Sequence, residues 1–193
     1  MAVPDIVLTT LNARYAHASF GLRYLMANLP PGVVERAAMI EFDISQNTVD
    51  VLERILALRP RIVGVGVYIW NAAECAQLVA QLKRVRPDIV VIVGGPEVSY
   101  ETEQQQIARD ADFVITGEAD IALGELCEKL LSGTRPLQKV IAAELPEFAP
   151  KAGGLQSAGL RRDQTNSRSS SASSHHTASG SNCISVASFM AAI

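Results

Sequence analysis

Five short runs that are apolar along nearly their whole length, interspersed with stretches of helical hydrophobic spacing, constrain this chain more than any other feature. Asp5-Ile-Val-Leu-Thr-Thr10 reads as the first buried strand, and Val33 to Phe42 as the second, with Ala37, Met39 and Ile40 apolar. Arg61 to Val67, Asp88 to Val93 and Asp112 to Thr116 are the third, fourth and fifth. Between them, Leu22, Leu25, Met26 and Leu29 recur at helical spacing from Phe20 to Leu29, ahead of Pro30-Pro31-Gly32, which halts a helix. Asn47 or Thr48 caps a helix that runs to Leu58. Ala72 to Val85 and Glu118 to Leu131 are amphipathic helices, Thr102 to Ala108 a weaker, polar one, and Lys139 to Ala143 an edge strand. Strands apolar on both faces must be covered on both faces, so the alternation predicts an α/β fold. The expected form is a three-layer, doubly wound parallel sheet with right-handed crossovers, in the flavodoxin-like order 2-1-3-4-5.

Composition shifts near Pro150. Residues 1–147 form the expected α/β domain, and residues 148–193 a Gly/Ser-rich tail whose serine tract, Asn166 to Ser181, is too polar to build a core. The tail, with His175-His176 inside it, is expected to be disordered. A formal net charge of −3 gives no electrostatic reason to expect nucleic acid or anionic membrane as a partner. The longest apolar runs are too short to span a bilayer, and the N-terminus lacks the charged start of a signal peptide. Three widely separated cysteines, Cys75, Cys127 and Cys183, fit a reducing, cytoplasmic setting and exclude a Cys-x-x-Cys metal knuckle. No catalytic set and no metal-ligand set is legible.

In a doubly wound sheet, ligands bind beyond the carboxyl ends of the strands. The loops at that edge begin at Thr10, Asp43, Tyr68, Gly94 and Thr116, and they collect the only tryptophan, two tyrosines and consecutive glycines. Several α/β chemistries fail there. Gly64-Val-Gly66 lies inside a strand and is followed by Ile69 where a dinucleotide fingerprint needs glycine, and no P-loop or Gly-x-Ser-x-Gly elbow exists. The first and third strands end in Thr9-Thr10 and Val67-Tyr68, without the acidic residues of a phosphoacceptor domain.

Three segments match a known pattern together. Val63-Gly-Val-Gly-Val67, Pro87-Asp-Ile-Val-Val-Ile-Val-Gly-Gly-Pro-Glu97 and Asp112-Phe-Val-Ile-Thr-Gly-Glu118 resemble the cobalamin (B12)-binding domain at the front of class B radical-SAM proteins. The first loop, Leu11-Asn-Ala-Arg-Tyr-Ala-His-Ala-Ser-Phe-Gly-Leu-Arg-Tyr-Leu25, is similar to a bacterial subgroup of that family. The resemblance covers roughly Val3 to Leu145. It implies a cobalamin site built from Asn12, Arg14, Tyr15, His17, Gly66, Tyr68, Trp70, Asn71, Gly94, Gly95, Pro96, Glu97, Gly117 and Glu118. Glycines at Gly66, Gly94 and Gly95 would let the ligand meet backbone, and Tyr68 and Trp70 offer flat apolar area for the corrin or its tail. Gly117 would free amides at a helix start, and Glu118 is expected to cap that helix. Glu97 is expected to be solvated, and Cys75 and Cys127 to be core residues.

The pattern also departs from its relatives. The D-x-H-x-x-G motif of cobalt-ligating domains is absent, since Tyr15 stands two before His17 and Gly21 four after it. His17 is therefore read as a loop residue and not as a metal ligand. The C-x-x-x-C-x-x-C that holds a [4Fe–4S] cluster in the full-length relatives is also missing. In those relatives SAM and the cluster carry the chemistry. The chain is accordingly expected to bind cobalamin without being catalytic by itself, as a truncated or frame-shifted product whose partner is a radical-SAM barrel in trans. Two alternatives stay open: a ligand-free structural or docking domain, and a nucleotide or small-molecule binder on the same fold.

Overall fold

The computed structural model describes residues 3–13 and 18–143. Six strands form one parallel sheet in the order β2-β1-β3-β4-β5-β6. They are β1 (Ile6–Asn12), β2 (Ala37–Asp43), β3 (Ile62–Gly66), β4 (Val90–Gly94), β5 (Phe113–Gly117) and β6 (Val140–Ala143). The flavodoxin-like order holds, and the sixth strand extends it as the expected edge strand. The helices are α1 (Phe20–Asn28), α2 (Pro31–Val34), α3 (Thr48–Ala57), α4 (Ala72–Val85), α5 (Gln106–Asp110) and α6 (Ala122–Leu131).

Alternation along each strand splits the core into two layers. Val63, Val65, Val91, Val93 and Val114 face α3, α4 and α5, where they meet Val51, Ile55, Cys75, Leu78 and Leu82. Ile6, Leu8, Ile62, Ile92, Phe113 and Ile115 face α1, α2 and α6, against Leu22, Val33, Leu123 and Leu126. The apolar runs in the sequence thus record burial on both sides. Asn47, not Thr48, caps α3: its Oδ1 accepts from Val49 N at 2.9 Å. The Ser19 hydroxyl caps α1 by accepting from Leu22 N.

Three segments depart from expectation. The strand expected from Val33 begins only at Ala37, because Pro31 halts α1 but opens α2, at whose first position a missing N–H costs nothing. The helix expected over Thr102 to Ala108 is instead a 3-10 turn, Thr102–Gln104, followed by the short α5. The last helix begins at Ala122 rather than Glu118. Gly117 there has φ +79°, and the chain turns for four more residues before the helix starts.

One charged cluster ties the sheet's amino-terminal edge together. Lys83 on α4 donates to the carbonyls of Pro87 and Ile89 and to Asp112 Oδ2, at 3.0, 2.9 and 2.8 Å. Asp112 also accepts from Val91 N at 2.9 Å and pairs with Arg135. Burial pushes the Asp112 carboxyl up, but the hydrogen bonds from Lys83 and Val91, the Lys83 charge and the Arg135 hydrogen bond outweigh it. The carboxyl lies below its ordinary range. Arg59, Arg61, Arg86 and Asp88 line a cavity of ≈ 260 Å³ at this same edge, opposite to where a parallel sheet binds ligands.

Candidate functional site

At the carboxyl ends of β1 and β3, the fold is held by one buried amide. Asn71 is fully buried. Its Oδ1 accepts from Tyr68 N at 2.8 Å, and its Nδ2 donates to Thr10 Oγ1 at 3.1 Å and to Leu11 O at 2.9 Å, with Gly66 O at 3.4 Å. Thr10 Oγ1 in turn donates to Gly66 O at 2.8 Å. The sequence points to Asn71 as a ligand contact. In the structure its polar atoms are engaged within the protein, and it fixes the loop that presents Tyr68 and Trp70.

The glycines divide into two kinds. Gly95 has φ +119°, and a Cβ there would lie 2.3 Å from Val67 O. Gly117 has φ +79°, and its Cβ would lie 2.8 Å from Ala143 O. Both are required by their own backbone. Ser99 links these two turns: its Oγ donates to Gly95 O at 2.9 Å and accepts from Gly117 N at 3.2 Å. Gly66 and Gly94 are different. They are register partners in β3 and β4. A Cβ on Gly66 would come no closer than 3.6 Å to Thr10 and Tyr68, and one on Gly94 no closer than 3.5 Å to Ile115 O, which is ordinary contact. Neighbouring residues Leu8, Ile92 and Ile115 place both on the α1/α6 face.

Tyr68 stacks on Trp70, with ring centroids 4.7 Å apart and planes within 5°. The Tyr68 hydroxyl is hydrogen-bonded to the Ser19 side chain; burial raises its pKa and that bond lowers it, leaving it above the ordinary value. Asn12 Nδ2 donates to Glu41 Oε2 at 3.3 Å, and Glu41 Oε1 accepts from Ser19 N at 3.0 Å. Pro96 opens the 3-10 turn Glu97–Ser99. Glu97 is half-buried rather than fully solvated. Glu118 is also half-buried and lies outside any helix, so it is not a helix cap. Burial, together with the Glu118 charge, raises the carboxyl of Asp120. Arg14, Tyr15 and His17 lie outside the described residues.

Around this edge, loops following four strands expose large apolar side chains. Phe20, Ile69, Tyr100 and Ile121 are more than half exposed, and Trp70 is 42% exposed. Thr10, Ser19, Glu41 and Ser99 are the organising residues that the sequence reading missed. Ser19 alone carried a signal, as a serine before an apolar helical run. Cys75 and Cys127 are core residues, as expected; burial pushes each thiol up to about 12. Among the described residues no group of His, Cys, Asp or Glu is placed to hold a metal ion, and no helix is long and apolar enough to cross a membrane.

Comparison with known proteins places this geometry among relatives. The model of a family described as the B12 binding domain matches residues 6–127. Among solved structures, the radical S-adenosylmethionine methyltransferase TsrM from Kitasatospora setae superposes with a TM-score of 0.54 at 19% identity. That match covers 67% of this chain and 26% of TsrM. The cobalamin-dependent S-adenosylmethionine radical enzyme OxsB gives a TM-score of 0.56 at 14% identity, covering 74% of this chain and 23% of OxsB. This chain therefore corresponds to about a quarter of either enzyme, and at these identities the likeness is one of fold. No curated protein matches the chain.

Proposed function

The chain belongs to the B12-binding domain family, and on that premise we propose that it is a cobalamin-binding module, not catalytic by itself. The corrin would lie across the carboxyl ends of the central strands. The carrying observation is the registered pair Gly66 and Gly94, which leaves the strand ends bare on the α1/α6 face although neither backbone demands glycine. That is a cradle which a Cβ would begin to fill. Gly95 and Gly117 hold the adjacent turns, and Asn71 fixes the third loop. A macrocycle with apolar faces and polar edge amides suits the rim. Trp70, Ile69 and Phe20 supply exposed apolar area, while Asn12, Glu97 and Glu118 supply polar groups. Arg14, Tyr15 and His17, on the first loop, complete the proposed contacts, along with Tyr68 and Pro96.

Bound here, cobalamin supplies a cobalt centre able to carry a methyl group; the chain's residues bind and orient it. Any reaction would belong to a radical-SAM domain acting with this module. That domain would bring SAM and the iron–sulfur cluster.

The test is direct. Purified protein mixed with micromolar hydroxocobalamin is expected to co-elute with the corrin absorbance on gel filtration and to shift its spectrum. Protein and corrin eluting apart would sink the proposal and leave a ligand-free structural domain. A thermal-shift series of nucleotides against cobalamins separates the nucleotide-binding alternative, since only a bound ligand raises the melting temperature.

A further inference from the structure

Strand alternation decides where Tyr68 goes. Val67 is fully buried in the layer under α3 and α4, so the next side chain turns to the α1/α6 face. There the Tyr68 ring folds back over the strand it follows. Its Cε2 lies 3.6 Å from the position a Gly66 Cβ would take. The hydroxyl reaches across to Ser19, the residue that caps α1. The opposite ring face is stacked on Trp70, which is partly open to solvent. The ring thus spans from β3 to the start of α1 and roofs the backbone that Gly66 leaves bare.

We propose that Tyr68 is a displaceable cover over the Gly66–Gly94 groove and thereby sets which corrinoids the chain accepts. The proposal rests on the cobalamin reading above. A planar group lying on Gly66 needs about 3.5–4 Å of clearance from the backbone, and the tyrosine ring holds that space. No backbone change is required to free it. One side-chain hydrogen bond and one stack restrain the ring, and rotation about χ1 would swing it out. A corrinoid whose nucleotide tail enters the groove must displace the ring, whereas a corrinoid without a tail need not. Losing a stack and a hydrogen bond together corresponds to a penalty of roughly ten-fold or more in affinity, felt only by the tailed ligand.

The experiment compares cyanocobalamin with dicyanocobinamide, which lacks the nucleotide tail, on the full chain and on Tyr68→Ala and Tyr68→Phe. Tyr68→Ala is expected to bind cyanocobalamin about ten-fold tighter or more, with dicyanocobinamide affinity nearly unchanged. Tyr68→Phe keeps the ring and loses the Ser19 bond, so it should give a smaller gain with the same selectivity. Weaker cyanocobalamin binding by Tyr68→Ala, or equal shifts for both ligands, would overturn the cover and leave the cobalamin reading standing. If Tyr68→Ala does not fold, Tyr68→Phe decides: a gain selective for cyanocobalamin supports the cover and no gain overturns it. Folded wild-type protein that binds neither corrinoid overturns the cobalamin reading and the cover together.

Discussion

Thr9 and Thr10 are adjacent and fully buried, yet the fold uses them in opposite ways. Thr10 Oγ1 donates to Gly66 O and accepts from Asn71, while Thr9 Oγ1 has no hydrogen-bond partner. A buried hydroxyl without a partner costs stability, and one inside a network contributes it. Thr9→Val is therefore expected to stabilise the domain by about 1 kcal/mol, and Thr10→Val to destabilise it by about 1–2 kcal/mol, both read from urea unfolding midpoints. The glycines make a second matched pair. Gly95→Ala drives a Cβ into Val67 O and forces an unfavourable φ, so a loss of about 2–4 kcal/mol is expected. Gly66→Ala meets only ordinary contacts and should cost about 1 kcal/mol or less, while weakening cobalamin binding. Equal losses of stability in the two alanine variants would contradict this division of roles.

Asp112 stands just before β5 and gathers three elements through a carboxylate: α4 by Lys83, β4 by Val91 N and the loop before β6 by Arg135. Its pKa is depressed in the folded state, so its contribution is fully present above the unfolded value near 4. That contribution is lost as pH falls through the folded value. Chemical denaturation between pH 7 and pH 3 should show Asp112→Asn clearly less stable than wild type at pH 7, with the gap closing below about pH 4. A constant gap would mean that the carboxylate's charge is not what the network uses. The elements were also where the sequence spoke most clearly. Ala72 to Val85 was legible to the residue, since its apolar face and the Arg86-Pro87 stop agree. Glu118 to Ile121 were misread as helix because they continue a helical composition, and only the positive φ at Gly117 shows that the chain is still turning. The site was legible by edge and less so by role. Gly95, Gly117 and Asn71 are residue types that a ligand edge favours, yet here backbone packing alone accounts for them. Composition does not distinguish a glycine kept for a ligand from one kept for a carbonyl oxygen. Glu41 and Ser99 act through partners distant in sequence, which no local pattern reveals.

At the scale of the molecule, both core layers are assembled from residues no later than Ala143. A chain ending after Pro146 is therefore expected to melt within about 2 °C of the full-length protein by circular dichroism. A drop several-fold larger would show that residues 147–193 contribute to the fold. The open edge of β6, with Val140 partly exposed, would then be the place to look for the missing contact. The strand order has a further consequence, for how the chain comes into being. β1 is made first and lies between β2 and β3, and each later strand docks beside the one made just before it. No strand waits for a partner that is still to be synthesised. Nascent chain leaving a ribosome could close β2-β1-β3 once Gly66 has emerged and then grow in one direction, with little exposed edge held in suspense. Pulse-labelled refolding should find the amides of Val7 to Thr10 and Val63 to Val65 protected first and those of β6 last. Protection that begins instead at β5 would mean that the chain assembles against the order in which it is written.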